Sequence, residues 1–230
     1  MRAWIAMPRR PVRRSEGALK RAWAWLPALL LGACAGMDAP GTARHEEVAG
    51  ARWHWVGMVF DAAATPAPEP ARYWIEFASE GGVVVNADCN GGLGRLAGPG
   101  LALGPIGLTR RMCDPRSLGV RFARLLSAAR GGTFDGGLLR LHTDASDLLF
   151  TRSAAARMVR YVCPSGVPRD VVFDADLAYL RVDGRFRPLR RTGSGAAVFA
   201  GGDMIISTKD GELTVETRGG GRVGPCAPEA

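Results

Sequence analysis

After a basic stretch the chain carries an apolar run, Ala22–Ala33, and then changes its pattern twice. Between residues 50 and 152 large apolar residues alternate with polar ones at Trp53-His-Trp55 and at Tyr73-Trp-Ile-Glu-Phe77, the period-two signature of strands with one buried face. Val83–Val85 is a further short strand, and Asn86–Gly92 has the composition of a turn. Three prolines in residues 64–70 forbid a central strand there and predict a loop. Leu118, Phe122, Leu125, Leu126 and Ala129 recur at helical spacing, with Asp114 as N-cap, Pro115 at the first helical position and Gly131-Gly132 as the stop. Thr133-Phe134, Leu138–Leu141 and Leu148–Phe150 then predict strands. After residue 157 the helical period disappears. Seven short strands follow at 159–162, 170–173, 178–182, 186–189, 196–199, 204–207 and 212–217, with Asp183-Gly184, Gly201-Gly202 and Asp210-Gly211 as turns.

This order predicts an α+β unit with an antiparallel sheet and one helix over residues 50–152, then an all-β unit, a small antiparallel β-barrel, over residues 157–230. Residues 153–156 form a short joint. Residues 35–49 lack large apolar side chains and a clear period, so 34–49 is expected to be a tether.

The apolar run is too short to cross a bilayer as a helix but has the length of a signal-peptide core. Seven basic side chains against Glu16 give residues 1–33 a charge of +6, which leaves +2 of the total +8 for residues 34–230. A near-neutral body offers no reason to invoke nucleic acid or an anionic bilayer. Leu31-Gly-Ala-Cys34 resembles a bacterial lipobox. That resemblance implies cleavage before Cys34, acylation of its thiol, and a lipid anchor in the membrane. Ala35 in place of Asp implies the periplasmic face of the outer membrane.

With Cys34 acylated, Cys89, Cys113, Cys163 and Cys226 remain, an even number in an exported chain, which implies disulfides. Three pairings are possible. The spacing favours 89 with 113 and 163 with 226, each inside one half, closing loops worth roughly 3.5 and 4 kcal/mol in the chain-entropy model. No C-x-x-C occurs, and His45, His54 and His142 stand far apart, so neither a metal nor a cofactor is expected.

Two family resemblances sharpen this outline. Asp88-Cys-Asn-Gly-Gly92 and Thr109-Arg-Arg-Met-Cys113 ahead of a helix resemble the META domain of heat-shock-associated envelope lipoproteins. That family implies a location rather than a reaction, and Asp88, Asn90 and Asp114 read as turn and cap residues. In the second half, Tyr161-Val-Cys163, Arg191–Ala196, Lys209-Asp-Gly211 and Cys226 resemble the membrane-bound inhibitor of C-type lysozyme. The resemblance implies that Ser194, in its Ser-Gly195-Ala loop, and Lys209 enter the cleft of a C-type lysozyme. Lys20 and Lys209 are the only lysines in the chain. The pattern departs from that family at Phe199, one residue late, and at Asp210, which separates Lys209 from Gly211 and could neutralise it. No Ser lies in G-x-S-x-G with a following acid and His, so an enzyme is not expected. The expectation is an envelope lipoprotein that inhibits C-type lysozyme. The alternative is an envelope-stress or structural lipoprotein without inhibition.

Overall fold

A computed structural model describes residues 41–98, 100–193 and 197–229. Cys34 and the signal segment lie outside the described residues, as do Ser194 and Gly195. Residues 38–230 form one compact unit.

Its first part is a nine-stranded antiparallel sheet. In chain order the strands are β1 (Arg52–Phe60), β2 (Ala63–Pro66), β3 (Tyr73–Phe77), β4 (Gly82–Ala87), β5 (Asn90–Arg95), β6 (Gly107–Leu108), β7 (Gly131–Asp135), β8 (Leu138–His142) and β9 (Ser146–Thr151). They are ordered β6-β5-β4-β3-β1-β9-β8-β7, with β2 pairing the distal half of β1. Short β2 lies on the segment expected to be a loop. It ends at Pro66 and is tolerated because it pairs along one side only. Asn86–Gly92, expected as a turn, is mostly strand. Only Asp88-Cys89 turns, with Asp88 at φ 68°, and Asn90–Arg95 forms β5 although three of its six residues are glycine.

The described part of the expected tether is built into the fold. Thr42 bridges to Thr133, Ala43 and Val48 are buried, and the short helix α1 (His45–Val48) presents the Val48 carbonyl to the Trp53 indole N–H at 2.9 Å.

The long helix α2 runs over Gly119–Ser127 and does not start at Pro115. Asp114 instead closes a separate turn, accepting the Arg116 N–H at 2.8 Å through its carboxylate and the Ser117 N–H through its carbonyl. The helix begins where Gly119 meets the end of β4, since a Cβ there would stand 2.5 Å from the Ala87 carbonyl oxygen. Phe122 and Leu126 are fully buried, as the period predicts, and the Phe122 ring stacks on Trp55 at 5.2 Å.

The second part is a closed antiparallel barrel, in cyclic order β10 (Arg157–Val162), β11 (Pro168–Asp174), β12 (Leu177–Val182), β13 (Arg185–Arg191), β14 (Ala197–Gly201), β15 (Met204–Lys209), β16 (Glu212–Thr217) and β17 (Arg222–Pro228). The eighth strand was not foreseen, because Gly224, Pro225 and Pro228 remove every ordinary strand signal. It closes the barrel through Tyr161 opposite Pro228 and Val162 opposite Ala227. Both favoured disulfides form: Cys89–Cys113 spans 24 residues, and Cys163–Cys226 spans 63 and ties β17 to the end of β10.

Alternation sorts the sheet's side chains into two cores. Leu139, Leu141, Leu148 and Phe150 face α2, whereas Leu138, Leu149 and Val56 face the barrel wall, meeting Met158, Val172, Tyr179 and Phe186. The central strands are thus buried on both faces, not one. Close approach requires glycine at position 57, where a Cβ would stand 2.5 Å from the Met158 sulfur and 2.8 Å from a backbone oxygen. The Tyr179 hydroxyl donates to the Gly136 carbonyl at 2.8 Å, and burial pushes its pKa well above the ordinary phenol value.

Polar groups complete this seam. Asp170, nearly fully buried, ion-pairs with Arg181 at 3.2 Å and Arg160 at 3.7 Å. The same guanidinium groups donate to the carbonyls of Ala62 (2.7 Å) and Ala64 (3.4 Å), in and just after the β1–β2 turn. Removing the carboxylate leaves the largely buried Arg181 without a counter-charge, while Arg160 keeps only Glu229 at 3.0 Å. Asp170→Ala is therefore expected to cost about 3–5 kcal/mol, measured as the shift in urea-unfolding free energy.

A second network crosses β7, β8 and β9. His142 bonds Asp147 at 2.7 Å through Nδ1 and Thr133 at 3.1 Å through Nε2. Burial of Asp147 opposes its ionisation, but the His142 hydrogen bond and the charges of His142, Arg140 and Arg181 outweigh it and hold the carboxyl below its ordinary value of 3.8. Its contribution to stability is complete above that value and is lost as pH falls below it. Unfolding free energy followed from pH 5 to about pH 2.5 should decline less steeply in Asp147→Asn than in the native chain.

Candidate functional site

Lys209 and the described residues that flank the Ser-Gly-Ala segment lie at one end of the barrel. β15 ends at Lys209, and Asp210 (φ 52°) and Gly211 (φ 84°) turn the chain into β16. Two consecutive positive φ angles are those of a type I′ hairpin, whose twist matches the flanking strands and for which Asp-Gly is a preferred pair. Asp210 is thus placed by turn chemistry. Lys209 sits opposite Glu212 in register and is exposed. Among the described residues, no carboxylate lies within ion-pairing distance of its ammonium group.

The described residues on either side of the other motif come to the same place. Ala197, the first residue of β14, pairs with Thr208, so the chain enters β14 beside the end of β15 that carries Lys209. Before the gap, Thr192 donates its N–H to the Val198 carbonyl at 2.8 Å, and Gly193 has φ 87°. Phe199, which looked displaced from its motif, is a core residue. It is buried in the barrel, tilted against Phe173 at 5.8 Å, and covered by the guanidinium of its cross-strand partner Arg191 at 4.8 Å. The end of the barrel therefore offers one unpaired ammonium on a short rigid hairpin, with acidic Asp210 and Glu212 close by in sequence. It can donate charge-assisted hydrogen bonds to an acidic partner.

The polar residues singled out in the first half are brought together by the Cys89–Cys113 bond but face different partners. The Asp88 side chain is buried in an ion pair with Arg72. Asp114 is exposed, and the Arg116 side chain and backbone N–H groups lower its pKa. Asn90 is buried and fastens the segment ahead of Cys113. Its Oδ1 accepts the Thr109 hydroxyl (2.8 Å) and the Arg111 N–H (2.7 Å), while its Nδ2 donates to the Arg111 carbonyl (3.2 Å) and lies 3.0 Å from the Cys113 sulfur. One amide thus satisfies both sides of a non-helical segment that has no strand partner at Arg111. The Asn after Cys89 and the Thr four residues before Cys113 are two halves of this clasp.

The Thr133–His142–Asp147 line is a hydroxyl–imidazole–carboxylate series that the sequence did not signal, because its members come from three strands. It borders neither the cleft beside β4 and β5 nor the one between residues 106–111 and α2, and its geometry serves to cross-link β7, β8 and β9. His45 and His54 are likewise engaged, with the carbonyls of Ala78 (2.7 Å) and Pro70 (3.1 Å). Among the described residues no group of three His, Cys, Asp or Glu side chains is placed to hold a metal ion.

Asn90→Ala strands the Arg111 N–H and carbonyl away from their partner. The expected cost is about 2–3 kcal/mol, read from urea denaturation, with faster amide hydrogen exchange at residues 109–111 than elsewhere in the sheet.

No curated protein matches the chain. Among solved structures, an NMR structure of a protein from Burkholderia xenovorans is 20% identical, with 50% of this chain and 90% of that one covered at a TM-score of 0.43. Residues 46–155, the part that contains α2, the Asn90 clasp, the Cys89–Cys113 bond and the whole nine-stranded sheet, match the META domain family.

Proposed function

We propose that this protein is a bacterial envelope lipoprotein, anchored through acylated Cys34 at the periplasmic face of the outer membrane, whose barrel inhibits a C-type lysozyme. The observation that carries the reading is the exposed, unpaired Lys209 at the rigid β15–β16 hairpin, beside the entry to β14. Its ammonium, with the Ser194 hydroxyl from the Ser-Gly195-Ala loop, would occupy the paired carboxylates of the lysozyme cleft and withhold them from substrate. A closed barrel stapled by Cys163–Cys226 presents such a group at small entropic cost. On this reading the protein is a binding protein and performs no turnover of its own.

The alternative, an envelope-stress or structural lipoprotein without inhibition, is favoured by the acidic neighbours Asp210 and Glu212, which oppose the attraction of Lys209 to a carboxylate site. Electrostatic steering is also weak, since residues 157–230 hold 11 basic and nine acidic side chains.

Lysozyme activity on cell-wall substrate, measured with the soluble 38–230 unit, separates the two. The expected result is inhibition that Lys209→Ala weakens by roughly 30-fold or more, with unchanged circular dichroism. Absence of inhibition at about 10 μM, weaker than roughly −7 kcal/mol of binding, sinks the inhibitor reading in favour of the alternative.

A further inference from the structure

The charge of the sheet half is balanced in sum and separated in space. Residues 34–156 hold 12 basic and 12 acidic side chains. Residues 109–130 alone carry Arg110, Arg111, Arg116, Arg121, Arg124 and Arg130 against Asp114, which is +5, and so leave −5 for the remainder. This stretch consists of α2 and the segment that Asn90 holds beside it. Arg116 and Arg130 are ion-paired, with Asp114 (3.2 Å) and Asp144 (3.5 Å). Arg110, Arg111, Arg121 and Arg124 are exposed and have no ion pair among the described residues.

These arginines surround a surface that is also apolar. A cleft of about 550 Å³ lies between residues 106–111 and α2, with Arg110, Arg111 and Arg124 at its rim and Ile106, Leu108 and Ala123 in its lining. Val120, which also lines it, is 66% exposed, and Met112, next to Arg111 in the chain, is fully exposed. Cationic groups interspersed with exposed apolar ones fit an interface that is anionic at its surface and apolar beneath.

The position of the face relative to the chain's beginning agrees. Ala43 donates its N–H to Gly132 at 2.9 Å, and Gly132 lies two residues beyond Arg130. If Cys34 is acylated, as proposed above, the eight residues from there to Thr42 reach at most about 28 Å, so this end of the sheet stays close to the bilayer. The barrel packs on the opposite face of the sheet, which leaves α2 free of it.

We propose that α2 and residues 109–111 dock the protein on the anionic headgroups of a phospholipid bilayer, with Arg110, Arg111, Arg121 and Arg124 meeting phosphates and Met112 and Val120 entering the interface. The near-neutral overall charge of residues 34–230, which gave no electrostatic reason for such contact, conceals this one-sided distribution.

The test uses the acyl-free 38–230 unit, so that failure of docking is distinguishable from failure of the anchor. Flotation with phosphatidylcholine vesicles containing about 30% phosphatidylglycerol is compared with pure phosphatidylcholine at about 0.1 M salt. Partition onto the anionic vesicles alone is expected, reversed by about 0.5 M salt. The variant R110A/R111A/R121A/R124A should lose roughly 100-fold or more of this partition, whereas R185A/R187A/R190A, at exposed positions of β13, should not change it. Equal partition onto both vesicles, no partition onto either, full retention by the fourfold variant, or an equal loss in the β13 variant would overturn the proposal.

Discussion

The structure depends on the burial of its central strands from both sides. β1, β8 and β9 carry apolar side chains on each face, one set closed by α2 and the other by the outer wall of the barrel. Neither half could satisfy this alone, because a sheet stripped of the barrel would expose Val56, Leu138 and Leu149 to water. Each such side chain is worth about 1.5–3 kcal/mol when fully buried. The seam is also polar where it must be. Asp170 pairs Arg181, which has no other carboxylate partner among the described residues, and shares Arg160 with Glu229, and both arginines answer carbonyls of the β1–β2 connection.

Fixing the barrel by one side leaves its ends free. The docked wall is β10 to β13, whereas Lys209 lies on β15, at an end of the cylinder. Two different devices close the two parts. In the barrel, β17 returns to β10 and Cys163–Cys226 ties the same two strands together. In the sheet half, Cys89–Cys113 and the Asn90 amide hold an irregular segment against β5, because that segment has no ladder to satisfy its backbone.

The same segment links packing to surface chemistry. Holding residues 109–111 beside α2 brings arginines that are separated in sequence to one rim, and the apolar period that buries Phe122 and Leu126 turns Arg121 and Arg124 outward. The charge separation of the sheet half is therefore a by-product of the register that builds its core. Separation of like charges from their balancing carboxylates costs little here, since the arginines remain in solvent.

Local chemistry determined much of this from the sequence. Strand alternation, the face of α2, the Asp-Gly hairpins and the parity of the cysteines are short-range signals, and the order of elements implied a sheet with one helix followed by a barrel. The halves of the Asn90 clasp were legible as motifs, though not as a hydrogen-bonded unit. What escaped was non-local. β5 and β17 are rich in glycine or proline and are strands only because neighbours supply their ladders. Asp114 opens a turn because Gly119 must approach Ala87. Phe199 is core because the barrel closes around it. The consecutive apolar pairs Leu138-Leu139 and Leu148-Leu149 did hint at burial on both faces, but a sequence does not say what covers the second one. Only the tertiary structure decided that, because the covering side chains lie in another half of the chain and contact order is invisible to local pattern.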